Sequence, residues 1–424
     1  GHGGAGVQAE MGGAVTMEDC LVAGVHETTA SNGGANGVGA LSGSAVTMRR
    51  CVVTDTEGLT TNVFGRLNLE DCVLRDARAT GHLTGVGINA DPAAIVDGVR
   101  VRVSRAHDVA VLVSATDLSS GDASAEALRL RDSLIEDTQV GPRRPGVISG
   151  GIGVFARDGA HVTLERTEVA RSVGFGVYVG GPSTRLSLRS VRVGETLASQ
   201  GFGLGVHLRD GATAALTGVL IEQSLGWGLW VNGADTRATL DEVLVRSVGP
   251  GGQIEAGVGV LAVAGAAVEG RRVAAEDLLG VGLLSAPGLD SRPTLPEMRA
   301  GSSLALRGVY VRGVRDAALE APRSTRALSY GVAVEAGCAA SLADVVLDDA
   351  GWGFLQNVGE LDLTRGVVSR WRSGPGVANG NATALRVTSF AARPAGAIAR
   401  DVRLPEVLLP PPPEPCAEPP CRAR

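Results

Sequence analysis

An adjacent carboxylate pair with an arginine one repeat later, Asp348-Asp349 and Arg370, is the grouping here best suited to acid–base work on a polysaccharide. Such chemistry needs two carboxylates flanking the glycosidic bond, and spacing along a chain does not by itself nominate them. An outward salt-bridge patch accounts for the same three residues and is the plainer expectation. Aromatic faces that stack on pyranose rings offer a second chemistry, with Trp227, Trp230 and Trp352 as candidates. Phe175 and Tyr178 hold the places of Trp227 and Trp230 in an earlier repeat, while Trp352 reads as one position off. Strand alternation predicts that one aromatic of each pair faces inward. Aromatics are 3% of the chain, sparse for an extended glycan cleft. Arg143 and Arg144, in the loop Gly141–Gly150, would suit an acidic glycan, although a solvated loop explains them as well.

Sulfur and imidazole point elsewhere. Cys20, Cys51 and Cys72 recur at one repeat position and are expected as buried, stacked thiols, small hydrophobes rather than a disulfide. Cys338 has the same plain reading. Cys416 and Cys421, close together in the tail, are a plausible local disulfide if the protein is exported. No metal site is expected, because the chain has no CxxC or HxxH spacing and its six histidines are scattered. Nucleophile-elbow and phosphate-loop motifs are also missing from the sequence.

The elements that must position these residues come from an internal repeat. The stretch 164–181, LERTEVARSVGFGVYVGG, returns at 216–233 as LTGVLIEQSLGWGLWVNG. Its simplest mark is an aliphatic anchor with an apolar residue five places on. Anchors are read at Met17, Met48, Leu69, Val96, Leu130, Leu164, Leu188, Leu216, Leu240, Val268, Leu306, Leu342, Leu363 and Leu385. Their mean separation of about 28 residues is the scale of one β-solenoid coil. The pattern fits neither a helical period nor strict alternation. It fits two short strands meeting at a bend, with anchor, +3 and +5 inward. The residue after the anchor (Glu18, Arg49, Glu70, Asp97, Arg131, Glu165, Arg189) is expected to form an outward column of mostly alternating charge. A third strand is written as GVGALS (37–42), GVGINA (85–90), DVAVLV (108–113), GFGVYV (174–179), YGVAVE (330–335) and GWGFLQ (351–356), among others. Asp-Gly turns such as Asp158-Gly159 and Asp210-Gly211 follow it. The expected architecture is one all-β parallel solenoid of about 14 coils over residues 1–403, with a Pro-rich tail or linker over 404–424.

Composition narrows function. The formal net charge is −6, and every one of the 39 basic residues is Arg, which gives no footprint for nucleic acid or an anionic membrane. No apolar run reaches the roughly 20 residues of a membrane span. The repeat-like opening without Met predicts a processed or truncated N-terminus.

The coil period and motifs such as SVGFGVYV and SLGWGLWV resemble the right-handed parallel β-helix proteins of the pectate-lyase-like superfamily. They are more similar still to the Gly-, Ala- and Arg-rich β-helix repeat proteins exported by GC-rich bacteria such as myxobacteria. The resemblance implies a right-handed parallel β-helix in the cell envelope or outside the cell. Its enzymes cleave or epimerise acidic polysaccharides, and other members are adhesins or binding rods. The enzyme motifs do not carry over: Gly1-His2-Gly3 precedes the Asp348-Asp349 pair instead of following it, the chain lacks Lys, and Asp91-Pro92 is followed by two alanines. The expected function is therefore a non-enzymatic exported scaffold that binds glycans or a surface partner. The alternative is a polysaccharide lyase or glycosidase, and calcium enters only if the protein is lyase-like.

Overall fold

The computed structural model describes residues 4–27, 35–80, 84–115, 126–142, 150–199, 203–251, 256–287, 301–316, 329–357, 359–379 and 385–393. The described elements are strands and isolated bridges joined by turns and bends. The chain forms two compact units, Gly1–Arg192 and Val193–Leu408. Each is built as a parallel β-helix, so the expected fold class is the observed one. A coil of the first unit has three strands, His161–Glu165, Glu168–Ala170 and Gly174–Gly180, on what we call its first, second and third faces. In the second unit the first two faces run together, as in Arg237–Arg246, followed by the third-face strand Gly257–Val263. Every strand pairs in parallel with its equivalents in adjacent coils.

Register decides what each residue does. The inward anchor column of the first unit runs Met17, Met48, Leu69, Gly98, Leu130, Leu164 and Leu188. In the second unit it runs Leu216, Leu240, Gly270, Leu306, Leu342, Leu363 and Val387. Three expected anchors, Val96, Val268 and Leu385, therefore stand two residues early. Positions two apart on a strand share a face, so an apolar residue at the preceding inward place imitates the anchor. Gly98 hid the true one, because Leu130 fills the space its side chain would occupy: a Cβ there would lie 2.6 Å from Leu130 Cδ2. The column following the anchor accordingly holds Val99, not Asp97.

The bend between first and second faces carries the strongest regularity. Asp19, Arg50, Asp71, Arg100, Asp132 and Arg166 all have positive φ, between 46° and 54°. Asp tolerates this left-handed region and Arg much less so. Two sets of bonds hold it. Each N–H turns to the next coil, as in Arg50 N–H to Glu70 O (2.9 Å) and Asp132 N–H to Glu165 O (3.0 Å). The side chains, splayed outward, form an alternating ladder: Arg50 Nε reaches Asp19 at 2.7 Å, Arg100 Nε reaches Asp71 at 2.5 Å, and Arg166 Nε reaches Asp132 at 2.6 Å. Glu18, Glu70 and Glu165 add second contacts. The column expected after the anchor is in register apart from Asp97, with Arg49 3.3 Å from Glu70, and the bend adds a second ladder beside it.

The interior is aliphatic, with Met48, Leu74, Ile88, Leu130, Ile135 and Leu164 fully buried. Cys51 and Cys72 are buried in it and Cys20 is half-buried; burial pushes the Cys51 thiol up. Free, buried Cys338 accepts a hydrogen bond from Ser302 Oγ at 3.4 Å. Glycines on the third face bring coils close. A Cβ on Gly87 would sit 2.4 Å from Val103 Cγ1 and 2.5 Å from the Ala110 carbonyl oxygen, inside the coil.

Two outcomes follow from this packing. Gly87→Ala should cost about 1–3 kcal/mol by overpacking, read as a lower denaturant midpoint. The second concerns acid. Arg365 and Arg307, hydrogen-bonded to Asp344 at 2.7 and 2.8 Å, hold its carboxyl at about 2. A depressed carboxylate adds stability above its unfolded value that is lost as pH falls through the folded one. Stability should thus decline between about pH 4 and pH 2, and Asp344→Asn, which keeps the left-handed bend (φ 55°), should flatten that decline in pH-resolved denaturation.

Candidate binding face and the carboxylate cluster

The third face carries the aromatics, and its local geometry departs from simple alternation. At the second glycine of the Gly-x-Gly signature the register skips a residue: Ile152 pairs with Phe175 and Val154 with Val177, while Gly153 and Gly176 lie between. A Cβ on Gly153 would lie 2.6 Å from Val169 Cγ1, so this residue turns inward. The following valines, Val154 and Val177, are also inward and fully buried. Two consecutive inward residues leave both flanking aromatics outward. Phe175 and Tyr178 meet edge to face at 5.3 Å, Phe155 and Tyr178 at 4.9 Å, and Trp227 and Trp230 at 4.4 Å. The expectation that one aromatic of each pair turns inward by alternation is therefore corrected, with the glycine bulge as the cause, although one ring of each pair, Tyr178 and Trp227, is still buried. Trp352 also falls in the Trp227 column, through Val258, Val281 and Tyr330, rather than one position away. Likewise the first-unit hexamer in register with GVGINA is 35–40, not 37–42, and its late counterpart starts at Ser329, not Tyr330.

Two outward columns result in each unit. In the first, Leu59, Val86, Val109, Ile152 and Phe175 run beside Asn62, Asn89, Leu112, Phe155 and Tyr178. In the second, Leu204, Trp227, Val258, Val281, Tyr330 and Trp352 run beside His207, Trp230, Leu261, Leu284, Ala333 and Leu355. No charged side chain stands in these positions. Their exposure differs sharply. Val86, Val109, Ile152 and Tyr178 form a buried cluster with Leu59, Leu112, Phe155 and Phe175 packed against it. Trp227 is 8% exposed, and His207, at 3%, stacks flat on Trp230 with ring centres 4.0 Å apart. Burial, with Arg209 nearby, holds the His207 imidazole neutral, its pKa lowered to about 3. Trp230, Tyr330 and Trp352 are partly exposed.

The carboxylate candidates sit elsewhere, on the second face and its bend. Arg370 donates to both oxygens of Asp348 (Nε to Oδ1 at 2.7 Å), and Ser369 Oγ donates to Oδ1 at 2.8 Å. Burial pushes the Asp348 carboxyl up, but these donors outweigh it and hold it below the usual range. Such a group is an ion-pair partner and not a proton donor near neutrality. Asp349 and Arg370 are themselves left-handed bend residues, with φ of 54° and 50°. Asp348 also closes a register column, Glu222, Arg246, Glu276, Arg312, Asp348, whose charges alternate. In it Glu276 is raised by burial and by Asp277, and its Oε1 has no hydrogen-bond partner among the described residues. Among the described residues no group of three His, Cys, Asp or Glu is placed to hold a metal ion. Arg143, Arg144, Cys416 and Cys421 lie outside the described residues, as does the boundary at 404.

Sequence reasoning missed Asp108. It stands where the equivalent strands start with Gly85 and Gly151, at φ 107°, and is 2% exposed. The signal was available: DVAVLV has Asp where its neighbours have Gly. Gly141 packs on it so closely that a Cβ there would fall 2.0 Å from Asp108 Oδ1.

No family model matches the chain, and no curated protein matches it. Among solved structures it is similar to the tailspike protein gp49 from Pseudomonas phage LKA1, at 14% identity and a TM-score of 0.28. That match covers 90% of this chain and 52% of the tailspike chain. No helix among the described residues is long and apolar enough to cross a membrane.

The burial pattern separates the tryptophans. Trp227→Ala should destabilise by about 3 kcal/mol or more, as for a core aromatic. Trp352→Ala should cost under about 1 kcal/mol, like other surface changes. Denaturant unfolding of both variants measures the difference.

Proposed function

We propose that the protein is a non-enzymatic, exported β-helical scaffold that binds glycan at the third face of its second unit. The observation that supports this most is the pairing of an uncharged outward face bearing partly exposed Trp230, Tyr330 and Trp352 with bends whose charges are engaged with one another. Aromatic faces and apolar side chains suit the C–H faces of sugars. The carboxylate nearest to a catalytic candidate, Asp348, is tied to Arg370 and Ser369, an arrangement that favours the scaffold over the lyase or glycosidase reading. Envelope or extracellular location belongs to the same proposal, as does a disulfide between Cys416 and Cys421.

The test is incubation with a panel of acidic and neutral polysaccharides, with and without calcium. Retention on at least one immobilised glycan without new reducing or unsaturated ends is the expected result. Product release that disappears in Asp348→Asn would make the protein an enzyme and overturn the scaffold.

A further inference from the structure

We infer that Trp352 is the platform for one neutral pyranose ring and that Gly374, in the next coil, is what makes it one; this rests on the glycan-binding reading. Tyr330, Trp352 and Gly374 occupy successive rungs of one outward column. A Cβ on Gly374 would lie 2.4 Å from Trp352 Cζ3, 2.9 Å from Cε3 and 3.3 Å from Cη2. The benzo ring therefore fills the room that glycine leaves, and the indole lies along the sheet over its neighbour. A side chain laid down this way keeps surface for a ligand, and Trp352 is partly exposed.

Two of the other three tryptophans are committed to packing. Trp227 is nearly buried against Trp230, and one face of Trp230 is covered by the His207 ring. Around Trp352 the outward positions are Tyr330, Ala333, Leu355 and Val377, none of them charged. Glu335, toward the end of the strand, accepts a hydrogen bond from Asn357 Nδ2 at 2.6 Å. The nearby Arg370 is bound to Asp348. An acidic sugar gains from a bidentate cation, but Arg372, two residues before Gly374, already donates to the Val314 carbonyl oxygen. Charge complementarity thus selects a neutral sugar, held by its apolar face on the indole.

The test is calorimetric titration of the full chain with cellohexaose, mannohexaose and hexagalacturonate. The wild type should bind at least one neutral hexaose more tightly than hexagalacturonate. Trp352→Ala should weaken that binding about tenfold, the scale of one aromatic contact, and Trp352→Phe should weaken it less. Gly374→Ala should weaken it too, by placing a methyl in the indole's seat, whereas Asp344→Asn, at a bend, should leave it unchanged. Melting temperatures taken in parallel separate lost binding from lost fold, and Trp352→Phe serves if either alanine variant unfolds. Neutral-sugar binding indifferent to Trp352, or tighter binding of hexagalacturonate, would overturn the platform while leaving a glycan scaffold standing. Binding of no glycan by the wild type would remove the scaffold reading as well.

Discussion

The parallel, in-register stacking of coils is the constraint from which everything else here descends. Its most demanding point is the bend between first and second faces, where a left-handed residue recurs coil after coil. A non-glycine residue in that conformation costs of order 1–2 kcal/mol. It persists because its N–H is the donor that carries the hydrogen-bond ladder around the corner. Once the backbone is pinned at that residue, side chains of equal position must stack. A column of one charge would be repulsive, and alternation of Asp and Arg follows as the arrangement compatible with the stack. Individually such exposed pairs are worth little; as a series they disfavour a coil slipped by one residue.

The same constraint separates the molecule's surfaces. Charged groups gather at the bends and on the second face, where Arg reaches to the carboxylate of a neighbouring coil. The third face is apolar inside and uncharged in its two outward columns, and the inward bulge, at a glycine in most coils, sets which residues face outward. Most coils carry glycine there, where a Cβ would meet a valine methyl and a carbonyl of the adjacent coil, as at Gly87 and Gly153; Thr60, Ala110 and Pro375 take the place in others. The bulge turns both rings of a pair to the same side, so Phe175 with Tyr178, and Trp227 with Trp230, pack on each other. Some of these rings form a secondary core. Others, Trp230, Tyr330 and Trp352 among them, remain partly in contact with solvent.

Much of this was legible in the residues. Repetition of 164–181 at 216–233, short strands with apolar anchors and turn residues between them are local signals, and they yielded a parallel β-helix. The candidate site was partly legible: the tryptophans were visible as a set, and Asp348 and Arg370 as neighbours in successive coils. Legibility failed where the register between coils departs from the apparent pattern. Val96 and Val268 passed for anchors because apolar residues two apart look alike, while Gly98 and Gly270, the true positions, show no apolar signal. Trp227 and Trp230 were assigned opposite faces because a bulge has no mark of its own beyond a glycine.

The sequence by itself determined the coil, since hydrophobic spacing and turn chemistry act over a few residues and survive as pattern. Tertiary structure alone decided register, and through it which charges pair, which aromatics share a face, and that the Trp352 indole rests over Gly374. Those facts depend on contacts one coil apart, between residues 21 to 49 positions distant in the chain. A single chain records both partners of such a contact but not that they touch.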